Sequence, residues 1–205
     1  MNYKKSFLIS LVLFLAFLFA GLGSKQSSQT QNQAPTSTLL TADPATFDDE
    51  FNQIKIFADE KSTAWRKDAK LVYVSTKIAL NLDPALTQHT FVYNSINDPN
   101  NHWAIAIEAG NKSLLRALIP KEDYLGSNLA QILPLYWKVN FVKALQICEG
   151  GGGKDFREQN PSNYKIELDL ARDQTNNLRW TCKYSTLDDT NTKEIKVDAG
   201  NGEII

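Results

Sequence analysis

The C-terminal stretch Lys193-Glu194-Ile195-Lys196-Val197-Asp198-Ala199-Gly200-Asn201-Gly202-Glu203-Ile204-Ile205 decides how this chain is organised. Its apolar residues Ile195, Val197 and Ala199 alternate with polar ones, and this period of two predicts a strand with one buried face. The Gly-Asn-Gly sequence that follows predicts a turn into a second short apolar strand. Ninety positions earlier, the segment Ala104–Leu115 has nearly the same order of residue types.

The ninety-residue offset extends beyond these two segments. Phe51 and Phe141, which are ninety positions apart, each lie on the apolar face of a predicted helix. In both halves a helix precedes three antiparallel strands, so we predict an α+β fold of two tandem αβββ units, residues 46–126 and 127–205. The alternative is chance similarity between two small α+β units. Because a helix on a three-stranded sheet is marginally stable alone, we expect the units to pack through sheet edges or faces.

The first half contains one predicted helix, which starts within residues 43–46 with Asp43 or Thr46 as its N-cap. The second half contains a predicted helix from Ser127 to Glu149, interrupted near Pro134 and ended by the glycines 150–153. The predicted strands of the first half are Ala69–Ile78, Thr90–Ser95, His102–Ala109 and Ser113–Ile119, and those of the second half start near Tyr164, Leu178 and Lys193.

The N-terminal residues predict export from the cytoplasm. Lys4 and Lys5 precede an uncharged run of 17 residues from Phe7 to Gly23, which has the pattern of an export signal and is long enough to cross a bilayer. Residues 1–23 are therefore predicted to form either a cleaved signal peptide or an uncleaved apolar anchor helix. Residues 24–45 are polar and lack aromatic residues, which is typical of a disordered, flexible tether.

The compartment follows from that segment. An uncleaved anchor would make the protein a single-pass protein of the cell membrane, with its C-terminal domain outside the cytoplasm, and cleavage would make it a secreted protein. The chain of 205 residues has a formal net charge of −1, so it lacks the basic field that nucleic-acid binding requires. The 42% of hydrophobic residues are sufficient for a sizeable core.

The two cysteines, Cys148 and Cys182, are candidates for a disulfide bond because the chain is predicted to be exported. Cys148 lies on the apolar face of the second predicted helix, and Cys182 lies on the strand face that carries Trp180 and Tyr184. Both side chains should therefore point into one core. The alternative is two buried free thiols.

Catalytic and metal-binding patterns were not found in the sequence. His89 and His102 are the two histidines, and neither lies in a spacing typical of a metallopeptidase or a nucleophilic triad. The segment Gly150–Lys154 follows a predicted helix where a phosphate-binding loop would follow a strand, and Asp155 stands where Ser or Thr would bind magnesium. We therefore predict no catalytic residue, no metal site and no cofactor.

The second half resembles the PepSY domain family over residues 139–205. The resemblance rests on the helix segment Ala144–Cys148, on Trp180 in the penultimate strand, and most specifically on the ending Val197–Ile204. The family's usual Thr before the last Gly is Asn201 here. The first half resembles a diverged second copy, with Lys112 and Ser113 in place of Gly202 and Glu203. The resemblance implies an extracytoplasmic module that inhibits or regulates peptidases.

Two functions follow as hypotheses. The first is a non-catalytic module that binds a protein or peptide at the cell envelope, including inhibition or regulation of a peptidase, with exposed strand edges available for strand addition. The alternative is an envelope protein that binds a small ligand in a cleft between the two units. The aromatic residues considered for that cleft are Trp65, Tyr73, Trp103 and Trp180.

Overall fold

The computed structural model describes residues 44–78, 87–108, 114–123 and 129–205. The predicted signal or anchor (1–23), nearly all of the predicted tether (24–45) and the turn with Lys112 and Ser113 lie outside these ranges. No helix within the described ranges is long and apolar enough to cross a membrane.

The described residues form an α+β fold, and the predicted fold class is therefore confirmed. Helix α1 spans Pro44–Trp65 and is followed by β1 (Lys70–Ile78), β2 (Gln88–Ser95), β3 (Asp98–Glu108) and β4 (Leu114–Pro120). Short 3-10 turns at Lys121–Asp123 and Pro134–Tyr136 precede α2 (Phe141–Cys148), a π-helical turn (Glu149–Gly153), α3 (Lys154–Gln159), β5 (Lys165–Arg172), β6 (Leu178–Ser185) and β7 (Thr192–Asp198).

The seven strands form one antiparallel sheet in the order β4-β3-β2-β1-β5-β6-β7. Strand β1 pairs with β5, with Thr76 opposite Leu168, so the strands before and after the central connection join through their edges. The sequence had left edge and face packing open. Edge pairing gives the buried backbone groups of both central strands hydrogen-bond partners.

Both longer helices contribute to a single core on one face of the sheet. The rings of Phe51 on α1 and Phe141 on α2 lie 5.2 Å apart, so the two helices meet over the middle of the sheet. At the far end of α1, Trp65 stacks on Trp103 of β3 at 6.1 Å. The period-two patterns of β5, β6 and β7 place their apolar residues in this same core.

A smaller apolar cluster lies on the opposite face of β1, β2 and β3 and contains Val72, Val92 and Ala104. Residues 129–140, which precede α2 and are called the connecting segment here, cover it through Leu129, whose carbonyl accepts a hydrogen bond from the Asn94 side chain. Three residues later, the Ile132 amide donates to the Leu71 carbonyl at 2.8 Å. The connecting segment is therefore attached to β1 and β2 before it reaches α2.

The predicted helix from Ser127 to Glu149 is wrong in its first part, since α2 begins at Phe141. The backbone amides of Lys138 and Val139 both donate to the Ala199 carbonyl at 2.9 Å, which holds this part of the chain extended. Asn140 then caps α2 by accepting from the Lys143 amide. The glycines 150–153 end the helix as predicted, because Gly152 has the non-helical φ of 108° and the short helix α3 starts only after this kink.

His89 is buried between Phe51 and Phe141, at ring distances of 5.1 and 5.3 Å. Burial lowers the pKa of His89 from 6.5 to about 3. Between about pH 3 and pH 6.5 the unfolded chain binds a proton on His89 that the folded protein excludes. The stability that neutral His89 contributes is therefore fully present above pH 6.5 and falls as the pH drops.

We expect this residue alone to lower the free energy of unfolding by about 2 kcal/mol between pH 7.5 and pH 5. Denaturant midpoints at the two pH values, for the natural protein and for His89→Leu, measure the effect. The variant will be less stable at pH 7.5 because Thr76 loses its contact with the imidazole, but its stability will fall less on acidification. Equal losses in both proteins would exclude His89 as the cause.

Candidate functional site

Strand β4 is the outermost strand at one end of the sheet, and no described strand pairs with its outer edge. Leu114, Leu115 and Leu118 remain 37%, 50% and 55% exposed. Their register against β3 places Leu114 and Leu118 on the helix-covered face and Leu115 on the other. Arg116 is the one charged residue of the strand. We refer to the outer side of Leu114–Pro120 as the β4 edge.

The strand at the opposite end of the sheet carries several charges, and the C-terminal residues cover its outer edge. Strand β7 carries Lys193, Glu194 and Lys196. The C-terminal residues fold back on it, because Ile204 bridges to Val197 and the Ile205 amide donates to the Lys196 carbonyl at 3.0 Å. Charges and cover are the usual ways in which a sheet edge is protected from pairing with another chain. The β4 edge carries a single charge, that of Arg116, and no described segment covers it.

Helix α1 adds a further apolar side chain near this end of the sheet. Asp59 and Lys55 lie on the flank of α1 that faces β1 and the connecting segment, where they line a cavity with Leu71. Phe57 projects from the opposite flank by the helical repeat, and therefore toward the β4 side. Its ring is 38% exposed and carries the Lys61 ammonium at 4.9 Å.

Cys148 and Cys182 are at disulfide distance, with their sulfurs 2.01 Å apart. Cys148 is the last residue of α2 and Cys182 lies in β6, and both are buried in the core. The pair links the second helix to the sheet beneath it. It is a structural connection and does not reach the β4 edge.

Glu149, the residue after Cys148, holds a buried polar cluster. Its carboxylate accepts hydrogen bonds from the Tyr184 hydroxyl at 2.9 Å and from Arg157, whose Nε lies 3.0 Å away. The Glu149 and Arg157 side chains are only 6% and 9% exposed. Burial and the neighbouring carboxylate raise the pKa of Tyr184. A Cβ atom at Gly153 would overlap the Tyr184 ring, so this glycine permits the close contact.

A similar pair exists near α1. The Asp59 carboxylate accepts from the Tyr93 hydroxyl at 2.7 Å and from the Lys55 ammonium at 2.6 Å. Asp59 and Glu149 are ninety positions apart, and Tyr93 and Tyr184 are ninety-one apart. Sequence reasoning missed both pairs, although the ninety-residue offset aligns the two carboxylates and could have found them.

The four aromatic residues considered for a ligand cleft lie elsewhere. Trp180 is buried in the core and donates to the Val139 carbonyl at 2.7 Å, while Trp65 and Trp103 stack on each other. Tyr73 belongs to the cluster on the opposite sheet face. One cavity of about 330 Å³ lies beside Tyr136 and Arg172, and another of about 210 Å³ lies beside Asp59. Neither is lined by these four residues.

His89 and His102 lie in the adjacent strands β2 and β3 and do not belong to a metal-ligand cluster. Within the described ranges, no group of three or more His, Cys, Asp or Glu side chains is placed to hold a metal ion. No family model, no curated protein and no solved structure matches this chain. The assignment of the fold and of the β4 edge therefore rests on the geometry of this chain alone.

Proposed function

We propose that this protein is a non-catalytic, extracytoplasmic PepSY-like module that binds an extended protein or peptide segment through the β4 edge. The observation that carries the proposal is the open, apolar character of that edge. An extended segment that adds to β4 gains main-chain hydrogen bonds along the strand, and alternate side chains gain contacts with Leu114, Leu115 and Leu118.

The tandem arrangement supports the PepSY-like part of the proposal. We propose two related units, residues 46–126 and 127–205, connected by the ninety-residue offset; the first has four strands, one more than the predicted αβββ order. The corresponding phenylalanines of the two helices are in contact, and each half has a helix carboxylate bonded to a strand tyrosine. The pairing of Ile107 with Leu114 in the first half matches the bridge between Val197 and Ile204 in the second.

The location proposed for this module is the outer side of the cell membrane. Residues 1–23 would anchor it there, with residues 24–45 as the tether, or would direct secretion if cleaved. The disulfide distance between the two cysteines supports an oxidising compartment. This location and the family resemblance together lead us to propose an envelope peptidase as the partner, which this protein would inhibit or regulate.

A selection of displayed peptides against the full chain in detergent tests the proposal. The double variant Leu115→Lys/Leu118→Lys should weaken binding of the selected peptides by at least about tenfold, because charges on an edge strand oppose pairing. Ile96→Lys is the matched control, since Ile96 is an exposed apolar residue in the turn between β2 and β3.

Failure to select any binder, or equal binding by the double variant and the natural protein, would contradict binding at the β4 edge. The peptides that do bind can then be added to assays of envelope peptidases that contain the same segment. If the full chain slows cleavage and the double variant does not, the regulatory part of the proposal is supported. If both proteins have no effect, the regulatory part fails while edge binding stands.

A further inference from the structure

Arg116 is a cation within the otherwise uncharged strand β4. Its register opposite Ile105 places it on the helix-covered face of the sheet, the face that it shares with the exposed Leu114 and Leu118. The Arg116 side chain is itself exposed. Within the described ranges, no ion pair or hydrogen bond joins its guanidinium to another side chain. The β4 edge therefore presents an unneutralised positive charge inside an apolar row.

Lys61 adds a second cation on this side of the molecule. It lies one helical turn after Phe57, on the flank of α1 that faces β4, and its ammonium is 4.9 Å from the centre of the Phe57 ring. Among the acidic residues of α1, Glu60 is exposed to solvent and Glu50 lies on the same flank as Lys61. The helical rise places Glu50 about 16 Å from Lys61 along the helix axis. The flank of α1 beside β4 is therefore positive around Lys61.

The two cations lie at the same level along the sheet. The start of α1 is level with the first residue of β4, because Phe51 packs against the β2 residue in that row of the sheet. The end of α1 is level with Leu118, because Trp65 stacks on the β3 residue that pairs with Leu118. Lys61 lies between these two ends of α1, as Arg116 lies between the two ends of β4. A side chain opposite Arg116 on an added strand therefore projects toward the flank of α1 that carries Lys61.

We propose that the extended segment bound at the β4 edge carries an acidic residue, glutamate or aspartate, opposite Arg116. The site is that of the proposed function, on which this proposal rests. In an antiparallel pairing, apolar residues two positions before and after the acidic one contact Leu118 and Leu114. Side chains directly opposite each other on neighbouring strands attract when their charges differ and repel when they are alike. Arg116 therefore selects acidic segments and rejects basic ones, since charge complementarity acts mainly on specificity.

Peptide selection with variants of the full chain in detergent tests the proposal. One library of displayed peptides is selected in parallel against the natural protein and against Arg116→Glu, an exposed substitution that should leave the fold intact. Binders of the natural protein should be enriched in an acidic residue between apolar positions, and binders of the variant in lysine or arginine at that position. Lys143→Glu is the matched control, because Lys143 is exposed on α2 and its replacement changes the net charge equally. This control should select the same acidic peptides as the natural protein.

The affinities of one selected acidic peptide, and of the same peptide with lysine in place of its acidic residue, measure the charge pairing. The natural protein should bind the acidic form at least about tenfold more tightly than the lysine form, and Arg116→Glu should reverse this order. Added salt should reduce the difference. Equal preferences in the two proteins, or binders without an acidic residue, would overturn the acidic partner and leave binding at the β4 edge standing. Selection of no binder would overturn the proposed function and this proposal with it.

Discussion

Replacement of Glu149 by Gln should lower the free energy of unfolding by about 3–5 kcal/mol, the largest effect expected from a single substitution in this protein. Glutamine keeps the size of the side chain and can still accept from Tyr184, so the change removes mainly the negative charge. The Arg157 guanidinium then stays buried without a counter-charge. Denaturant titration of the full chain, followed by tryptophan fluorescence, measures the loss.

The Asp59→Asn variant is the matched control, since Asp59 occupies the corresponding place on α1 but is partly exposed. Its ion pair with Lys55 is accessible to water, so we expect a loss of about 1 kcal/mol or less. The double variant Glu149→Leu/Arg157→Met should recover much of the stability, because no buried charge remains. Equal losses in Glu149→Gln and Asp59→Asn would contradict a sealed ion pair in the second half.

The disulfide gives the second large effect. Cys148→Ala/Cys182→Ala should lower the free energy of unfolding by about 3–4 kcal/mol, because the bond closes a loop across a sequence separation of 34 residues. Alanine avoids burying a hydroxyl group in the core position that each sulfur occupies. The comparison of denaturant midpoints with and without reductant measures the same quantity in the natural protein.

Reductant should destabilise the natural protein and leave the double alanine variant unchanged. Intact mass under non-reducing conditions should be two hydrogens lower than the reduced mass. Two free thiols, or a midpoint that reductant does not shift, would contradict the bond.

Local sequence patterns predicted those parts of the fold that depend on neighbouring residues. The alternation of Ile195 and Val197 with charged residues predicted β7, because a buried face imposes a period of two on a strand. The same reasoning placed Cys148 and Cys182 on facing sides of one core, and the structure brings them to disulfide distance.

Features that depend on distant residues were not predictable in this way. The pairing of β1 with β5 joins residues such as Thr76 and Leu168, and nothing in either strand specifies the other as its neighbour. For the same reason, the sequence predicted a strand near Leu114–Pro120 without showing that it is outermost. The helix predicted from Ser127 was wrong because the Ala199 carbonyl, far away in sequence, holds Lys138 and Val139 extended.

The sequence predicted that the candidate site would be an exposed strand edge, but not which strand would form it. The choice between β4 and β7 depends on the C-terminal residues that cover β7. The Glu149–Arg157 pair escaped detection because its partners are separated by the kink at Gly152, which breaks the helical spacing on which such pairs are recognised. The resemblance to the PepSY family remains a prediction that supports the proposed function.

Hydrogen exchange of the full chain, with and without a selected peptide, tests binding at the β4 edge most directly. Strand addition predicts that those amides of Leu114–Ile119 that point away from β3 exchange at least about tenfold more slowly in the complex, while the amides of β7 keep their rates. A bound peptide that leaves the exchange of β4 unchanged, or that protects β7 instead, would contradict the proposal.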